Sequence, residues 1–173
     1  MLNTINMRSK VLGLELILAV VQSPGTIFKN SQQFINVIKE TLCELLLKQC
    51  VSNEKTIFSL SLSIFYCIFE HFREHLKQEI VVFLEQIFLR ILDSGNSIYH
   101  HKYLILNVFD RISQNTHQVL EIFYNYDCDY QQKDILQRMI DSLSKIAQGK
   151  FQKSEHQTII TAQEEYSLRL YAL

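Results

Sequence analysis

The sequence predicts an all-α chain, organised as an armadillo- or HEAT-like α-solenoid of about eight helices. Apolar residues recur three and four positions apart in one window after another, which is the period of a helix face. Only four Gly and one Pro occur in 173 residues, too few turn-formers for a sandwich or barrel in which every strand needs a reversal. Most of the helical patterns are apolar over more than one face, so each rod needs neighbours on both sides. Stacked helical hairpins supply them and a compact four-helix bundle does not. No internal sequence repeat is visible.

The first helix is expected from about Ser9 to Gln22, with Val11, Leu14, Leu18 and Val21 on one stripe and Leu12, Leu16 and Val20 beside it. Ser23, Pro24 and Gly25 end it, because Pro cannot continue the hydrogen-bond ladder. A second spans roughly Ser31 to Gln49, turning Phe34, Ile38, Leu42, Leu45 and Leu46 inward. Ser52 and Asn53 offer caps for a third, about Glu54 to His75, where Phe58, Leu62, Phe65, Phe69, Phe72 and Leu76 alternate four and three apart. That is the cleanest helical pattern in the chain.

The fourth helix, about Lys77 to Leu92, buries Ile80, Leu84, Ile87 and Ile91, with Phe83 and Phe88 widening the stripe. A fifth runs from about Ile98 to Ile112 on Ile105, Phe109 and Ile112, and a short sixth holds Val119, Leu120 and Phe123. The seventh follows Leu136, Met139, Ile140, Leu143 and Ala147 and stops at Gly149. Lys150 to Ile160 reads as a loop, and Thr161 with Glu164 forms a capping box that opens the eighth helix. The pattern is still running at the last residue, as in a segment of a longer protein.

A length of 173 residues is one domain by prior and long enough to bury a core. The net charge of -1 excludes a bulk electrostatic attraction to nucleic acid or anionic lipid. Cys43, Cys50, Cys67 and Cys128 lack CxxC spacing and are too sparse for a disulfide framework, which predicts reduced, mostly buried thiols in a cytoplasmic protein. Val11 to Val21 could pass for the start of a signal peptide. Glu15 interrupts it, and it is about half the ~20 residues of a bilayer span. A buried helix is expected there, and any membrane association is peripheral.

Catalytic and metal-binding patterns are thin. His71, Phe72, Arg73, Glu74 and His75 fit the HxxEH pattern of inverted zinc peptidases, since two His four apart on a helix can share a metal. Both lie on a polar flank with Glu70 and Lys77, so solvated surface is the simpler reading. His100 and His101 point about 100° apart on a helix and do not share one ion. Asp127 and Asp129 resemble the start of a calcium loop without its glycine or closing glutamate. No catalytic residue, metal site or cofactor is expected.

The one unusual stretch is Asn125, Tyr126, Asp127, Cys128 and Asp129, a polar run between two amphipathic patterns. It is expected to form a fixed turn whose Asn and Asp side chains bond nearby backbone and satisfy the free amides of the next helix. The alternatives left by the residues alone are a joint that stitches helical layers together and a surface that meets a partner.

The run NYDCD, preceded by EIFY and followed by LSKIAQG, resembles the signature box of the homology-upstream-of-Sec-seven (HUS) region of the large Arf guanine-nucleotide exchange factors. RSKVLGLELIL, IFSLSLSIF, FREHLKQEIVVFLEQIFLRIL and NSIYHHKYLIL agree with it in order, from about Arg8 to the last residue. The IFSLSLSIF and LSKIAQG runs place the resemblance with the BIG or yeast Sec-seven branch.

The resemblance implies a single HUS-like helical domain over 1–173, within a larger exchange factor. It implies a non-catalytic regulatory scaffold in Golgi vesicle trafficking, peripheral at trans-Golgi membranes, acting in interdomain docking and membrane recruitment. Its implied partners are the adjoining dimerisation and cyclophilin-binding domain and, through the parent protein, Arf-family GTPases. The exchange-catalysing domain is absent from this chain. A helical-repeat adaptor of unrelated transport use is the alternative.

Overall fold

The computed structural model describes residues 2–129, 134–150 and 160–173, with the backbone alone for 2–4. Among the described residues there are nine helices and no strand, so the chain is all-α. We label them α1 (Leu2–Gln22), α2 (Thr26–Asn30), α3 (32–49), α4 (Lys55–Phe72), α5 (77–93), α6 (Tyr99–Ser113), α7 (116–127), α8 (Ile135–Ala147) and α9 (Ala162–Tyr171). The chain divides into two compact units, Met1–Ile80 and Val81–Leu173.

Three rods contain a wider, π-wound turn: Ile38–Leu42 in α3, Leu84–Leu89 in α5 and Phe123–Asp127 in α7. Here a backbone N–H reaches five residues back, as from Cys43 to the Ile38 carbonyl and from Cys128 to Phe123. These rods alternate with the uninterrupted α4, α6 and α8. Starting points at Ile38, Leu84 and Phe123 recur every forty or so residues, the length of a two-helix HEAT or armadillo unit. The repeat that residue identity does not show is thus present in the winding.

In the first unit, α1 lies along α4. The four-and-three spacing of α4 does what the sequence predicts: Phe58, Leu62, Phe65, Phe69 and Phe72 are all buried, as is Leu76 beyond the helix end. Burial of each such side chain is worth about 1.5–3 kcal/mol before entropy is counted, which makes this rod the centre of the unit. From α1, Leu14 and Val21 join the core. Phe28 packs its ring edge-on to Phe72 at 5.8 Å and tilts against Phe34 at 4.4 Å.

Several expectations are corrected here. The first helix begins at Leu2 rather than Ser9, since no Pro or Gly lies between Leu2 and Lys10 to stop it. Its second stripe is mostly uncovered: Leu12, Leu16 and Val20 are 57%, 61% and 57% exposed. After Pro24 and Gly25 the chain makes the extra short helix α2. In α3, Phe34 and Leu45 face solvent, and the core face is Ile35, Ile38, Cys43, Leu46 and Cys50. The π-wound turn explains this. It places the next inward residue five positions after Ile38, at Cys43, where regular winding points to Leu42 and then Leu45.

In the second unit the same shift moves the inward position at the end of α5 from Ile91 to Leu92. On α6, Ile105, Phe109 and Ile112 are buried as expected. The inward face of α7 is Gln118, Ile122 and Tyr126, not Val119, Leu120 and Phe123. A glutamine occupies a core position there, and that breaks the apolar pattern. On α8, Ile135, Met139, Ser142 and Ile146 are buried while Ile140 is exposed. Gly149 ends this helix with φ of 69°, a left-handed position that accepts glycine without strain. The expected loop from Lys150 to Ile160 falls largely on residues 151–159, outside those described. The capping box forms as predicted: Thr161 Oγ1 accepts the Glu164 N–H, and the Glu164 carboxylate accepts the Thr161 N–H at 2.8 Å.

The cysteines are thiols rather than disulfides; Cys43, Cys50 and Cys67 are buried and Cys128 is exposed. Burial, with Glu79 nearby, pushes the Cys43 thiol up to about 12, and burial does the same for Cys50, so neither is a thiolate at neutral pH.

Candidate functional site

The polar run is not a turn between helices. Asn125, Tyr126 and Asp127 belong to the π-wound end of α7, and only Cys128 and Asp129 lie beyond it. Wider winding lets polar residues complete the rod where a separate turn was expected. Tyr126 is 4% exposed and points into the core, and Asn125 is half-buried.

Asp127 supplies amide hydrogen bonds at the start of the following helix. Its Oδ1 accepts the Leu136 N–H at 2.9 Å and its Oδ2 accepts the Gln137 N–H at 3.0 Å. Asp134, the residue at the N-cap position of α8, makes no side-chain cap. A carboxylate fixed on α7 therefore satisfies two of the four free amides at the head of α8, where the helix dipole also favours negative charge.

The other end of α8 is treated in the same way. Arg169 of α9 donates from Nε to the Ala147 carbonyl at 3.1 Å, placing a cation where the dipole is negative. Gly149 lies directly beneath it: a Cβ there would sit 3.4 Å from the guanidinium carbon.

Further polar ties hold the rods of this unit together. Arg138 Nη1 donates to Glu85 Oε1 at 2.8 Å, and Ser142 Oγ donates to Asp93 Oδ1 at 2.9 Å, so α8 is tied twice to α5. Lys102 of α6 is 2% exposed and donates from Nζ to the Leu92 carbonyl near the end of α5. Burial lowers its pKa to about 8, with Asp93 acting in the opposite sense. None of Glu85, Asp93, Lys102, Arg138 or Ser142 was singled out from sequence. A serine among the apolar residues of α8 was the one available signal.

What faces outward near the run is aromatic. Leu120, Phe123 and Tyr124 are 47%, 42% and 66% exposed, three and four apart on α7, and the two rings meet edge-on at 5.7 Å. Cys128 and Asp129 are exposed beside them. An exposed aliphatic and aromatic stripe next to carboxylates can make apolar contacts with a protein surface. It lacks the paired acids or activated nucleophile of a catalytic centre.

The HxxEH stretch is used otherwise. Lys29 Nζ lies 3.3 Å from His71 Nδ1, and an ammonium can only donate, so that nitrogen accepts and Nε2–H donates to the Gln22 carbonyl at 3.3 Å. His71 thus ties the end of α1 to α2. His75 is exposed outside α4. Burial and His100 lower the pKa of His101. Among the described residues no group of three or more His, Cys, Asp or Glu forms a potential metal site. No helix among them is long and apolar enough to cross a membrane.

Comparison with known proteins adds to this geometry. The chain is 43% identical over 144 residues to Brefeldin A-inhibited guanine nucleotide-exchange protein 1 of Homo sapiens, covering 83% of this chain and 8% of that protein. It is 38% identical over 144 residues to the exchange protein 3 of that name from Arabidopsis thaliana, with the same coverage, and 36% identical over 146 residues to its exchange protein 4, covering 84% and 9%. The chain therefore spans less than a tenth of the length of these relatives. Residues 1–135 match the family described as Mon2/Sec7/BIG1-like, HUS domain, and the chain belongs to that family.

Proposed function

We propose that this chain is the HUS region of a large Arf guanine-nucleotide exchange factor of the BIG type, a helical scaffold that docks a neighbouring domain and helps recruit the parent protein to Golgi membranes. The observation that carries this is the family match over 1–135 together with 43% identity to a nucleotide-exchange protein. The residues after 135 continue the same region in this reading. The exchange reaction belongs to a catalytic domain elsewhere in the parent protein, and the chain itself contributes docking and regulation.

The docking surface comprises the Asn125–Asp129 run and the exposed face of α7, with Phe123 and Tyr124 as apolar anchors and Asp129 at the rim. The partner is the family's dimerisation and cyclophilin-binding domain. Asp127 and Tyr126 support this surface from beneath, one by capping α8 and the other by filling the core.

The test is binding of the purified chain to that domain by calorimetry. Tyr124→Ala is expected to weaken it about tenfold or more without changing the melting temperature, since the side chain is 66% exposed. Unchanged affinity in Tyr124→Ala and Phe123→Ala would remove this surface from the interface. The isolated chain is expected not to release nucleotide from an Arf GTPase, and measurable release would overturn the non-catalytic reading.

A further inference from the structure

The π-wound turn of α3 builds a groove. Leu42 and Leu45, which regular winding would turn into the core, line with Phe34 and Val37 one wall of an almost wholly apolar groove of about 400 Å³. Leu16, Ile17 and Val20 of α1 form the other wall. Wide turns of this kind recur at functional sites. Here the turn sacrifices burial, for Phe34 and Val37 stay 45% and 57% exposed. A smaller cavity of about 160 Å³ continues the groove, since Ile17 and Leu45 line both. Lys10, Gly13 and Gln49 also line it. Gly13 is a helix-interior glycine, unfavourable for the rod, and a Cβ there would meet nothing within 4 Å. Phe28 of α2 lines the groove as well and packs on Phe34 at 4.4 Å. The two spaces together follow α1 from Lys10 to Val21, about 16 Å at 1.5 Å per residue.

We propose that these joined spaces bind one long-chain carboxylate, with its alkyl chain between α1 and α3 and its head against the Lys10 ammonium and the Gln49 amide. The polarity of the lining has the asymmetry of such a ligand. Thr41 is the one polar residue lining the larger groove, whereas Lys10 and Gln49 both stand at the smaller cavity, and no acidic residue lines either space among the described residues. Lysine lays its stem along apolar surface and keeps its charge at the edge, where an anionic head would meet it. The volume is that of a small-molecule site. A partner helix, about 10 Å across, would rest on the rims and leave the smaller cavity empty, while a single alkyl chain reaches the floor of both. Water in so apolar a space finds few hydrogen-bond partners, so each methylene that displaces it gains free energy. The assignment rests on residues 10–49 alone and not on the exchange-factor reading.

Calorimetric titration of the 173-residue chain with monomeric sodium laurate is expected to give one site of about 10–100 μM. Decanoate, two methylenes shorter, is expected to bind about tenfold more weakly. Laurate is also expected to raise the melting temperature, as a ligand of the folded state does. Leu16→Glu and Val37→Trp, one charging the groove and the other filling it, are each expected to abolish binding. Both positions are more than half exposed, so the melting temperature without ligand is expected to stay unchanged. Lys10→Glu is expected to weaken laurate about tenfold and to leave uncharged methyl laurate as before, which assigns the head. Absence of heat at millimolar laurate overturns the proposal, and is the result expected if a partner's helix fills the groove instead. Equal affinity for laurate and decanoate overturns it too, as does undiminished binding by both groove variants. Capture of laurate-containing vesicles without binding of the monomer is a further overturning result, since it would mean adsorption to a membrane surface.

Discussion

Asp127 and Leu136 sit on different helices nine positions apart, and the carboxylate of the first accepts the amide of the second at 2.9 Å. With the parallel bond to Gln137, this contact caps α8 from a residue that α8 does not contain. Asp127→Ala is expected to destabilise the chain by about 1–2 kcal/mol, the upper range of N-cap losses, because two amides lose their acceptor. Asp127→Asn, which keeps one carbonyl oxygen, is expected to lose about half as much. Urea unfolding followed by circular dichroism measures both, and an Asp127→Ala chain as stable as the original would show that water replaces the cap without loss.

The opposite end of α8 gives a backbone test. Gly149→Ala places a Cβ at a φ of 69° and against the Arg169 guanidinium, and is expected to cost about 1–2 kcal/mol. Arg169→Ala, which leaves the backbone alone, is expected to cost less than 1 kcal/mol, and the difference between it and the parent chain should shrink in high salt. Thermal unfolding at two salt concentrations separates the two effects.

Lys102 predicts a pH dependence. Its pKa is lowered from 10.5 in an exposed lysine to about 8 in the fold, so between those values the unfolded chain holds the extra proton. Stability contributed at this position therefore rises with pH from about 8 to 10.5, and below pH 8 the charged form is held at its full penalty. Lys102→Met is expected to flatten that rise, so that parent minus variant stability grows with pH across the window. A constant difference would mean that the Leu92 carbonyl sustains the charge in the folded state.

The wide turns predict an asymmetry in deletions. Removing Glu40 from the π-wound turn of α3 leaves Cys43, Leu46 and Cys50 in register with Ile38, because four-residue winding then suffices. Removing Ser63 from α4 instead rotates Phe65, Phe69 and Phe72 by about 100° out of the core. The first variant is expected to fold with a loss of about 2 kcal/mol or less, and the second not to fold. Soluble expression and the helical spectrum decide it.

These cases also show what could be read from the sequence. The all-helical class, the core face of α4, the stop at Gly149 and the Thr161 box rest on local rules that apply wherever winding is regular, and each is as expected. Leu42, Leu45 and Ile91 were misplaced where one extra residue per turn enters, a change that leaves no mark in hydrophobicity. Gln118 and Ser142 are polar residues on buried faces, and their neighbours on the helix were taken for the core in their place. Around the polar run, Asp127 could be assigned to capping because carboxylates and free amides attract over short distances. Its exposed neighbours Leu120 and Phe123 were read as interior, since apolarity alone does not say which side of a rod is covered.

With an anion from α7 at its head and a cation from α9 at its foot, α8 is latched by the segments that precede and follow it. Fraying of either neighbour strips a charge from α8, so the three should open as one cooperative block rather than peel away in sequence. In hydrogen exchange, amides of 116–127, 135–147 and 162–171 would then share a single opening free energy. A ligand that grips any one of these helices would slow exchange in the other two.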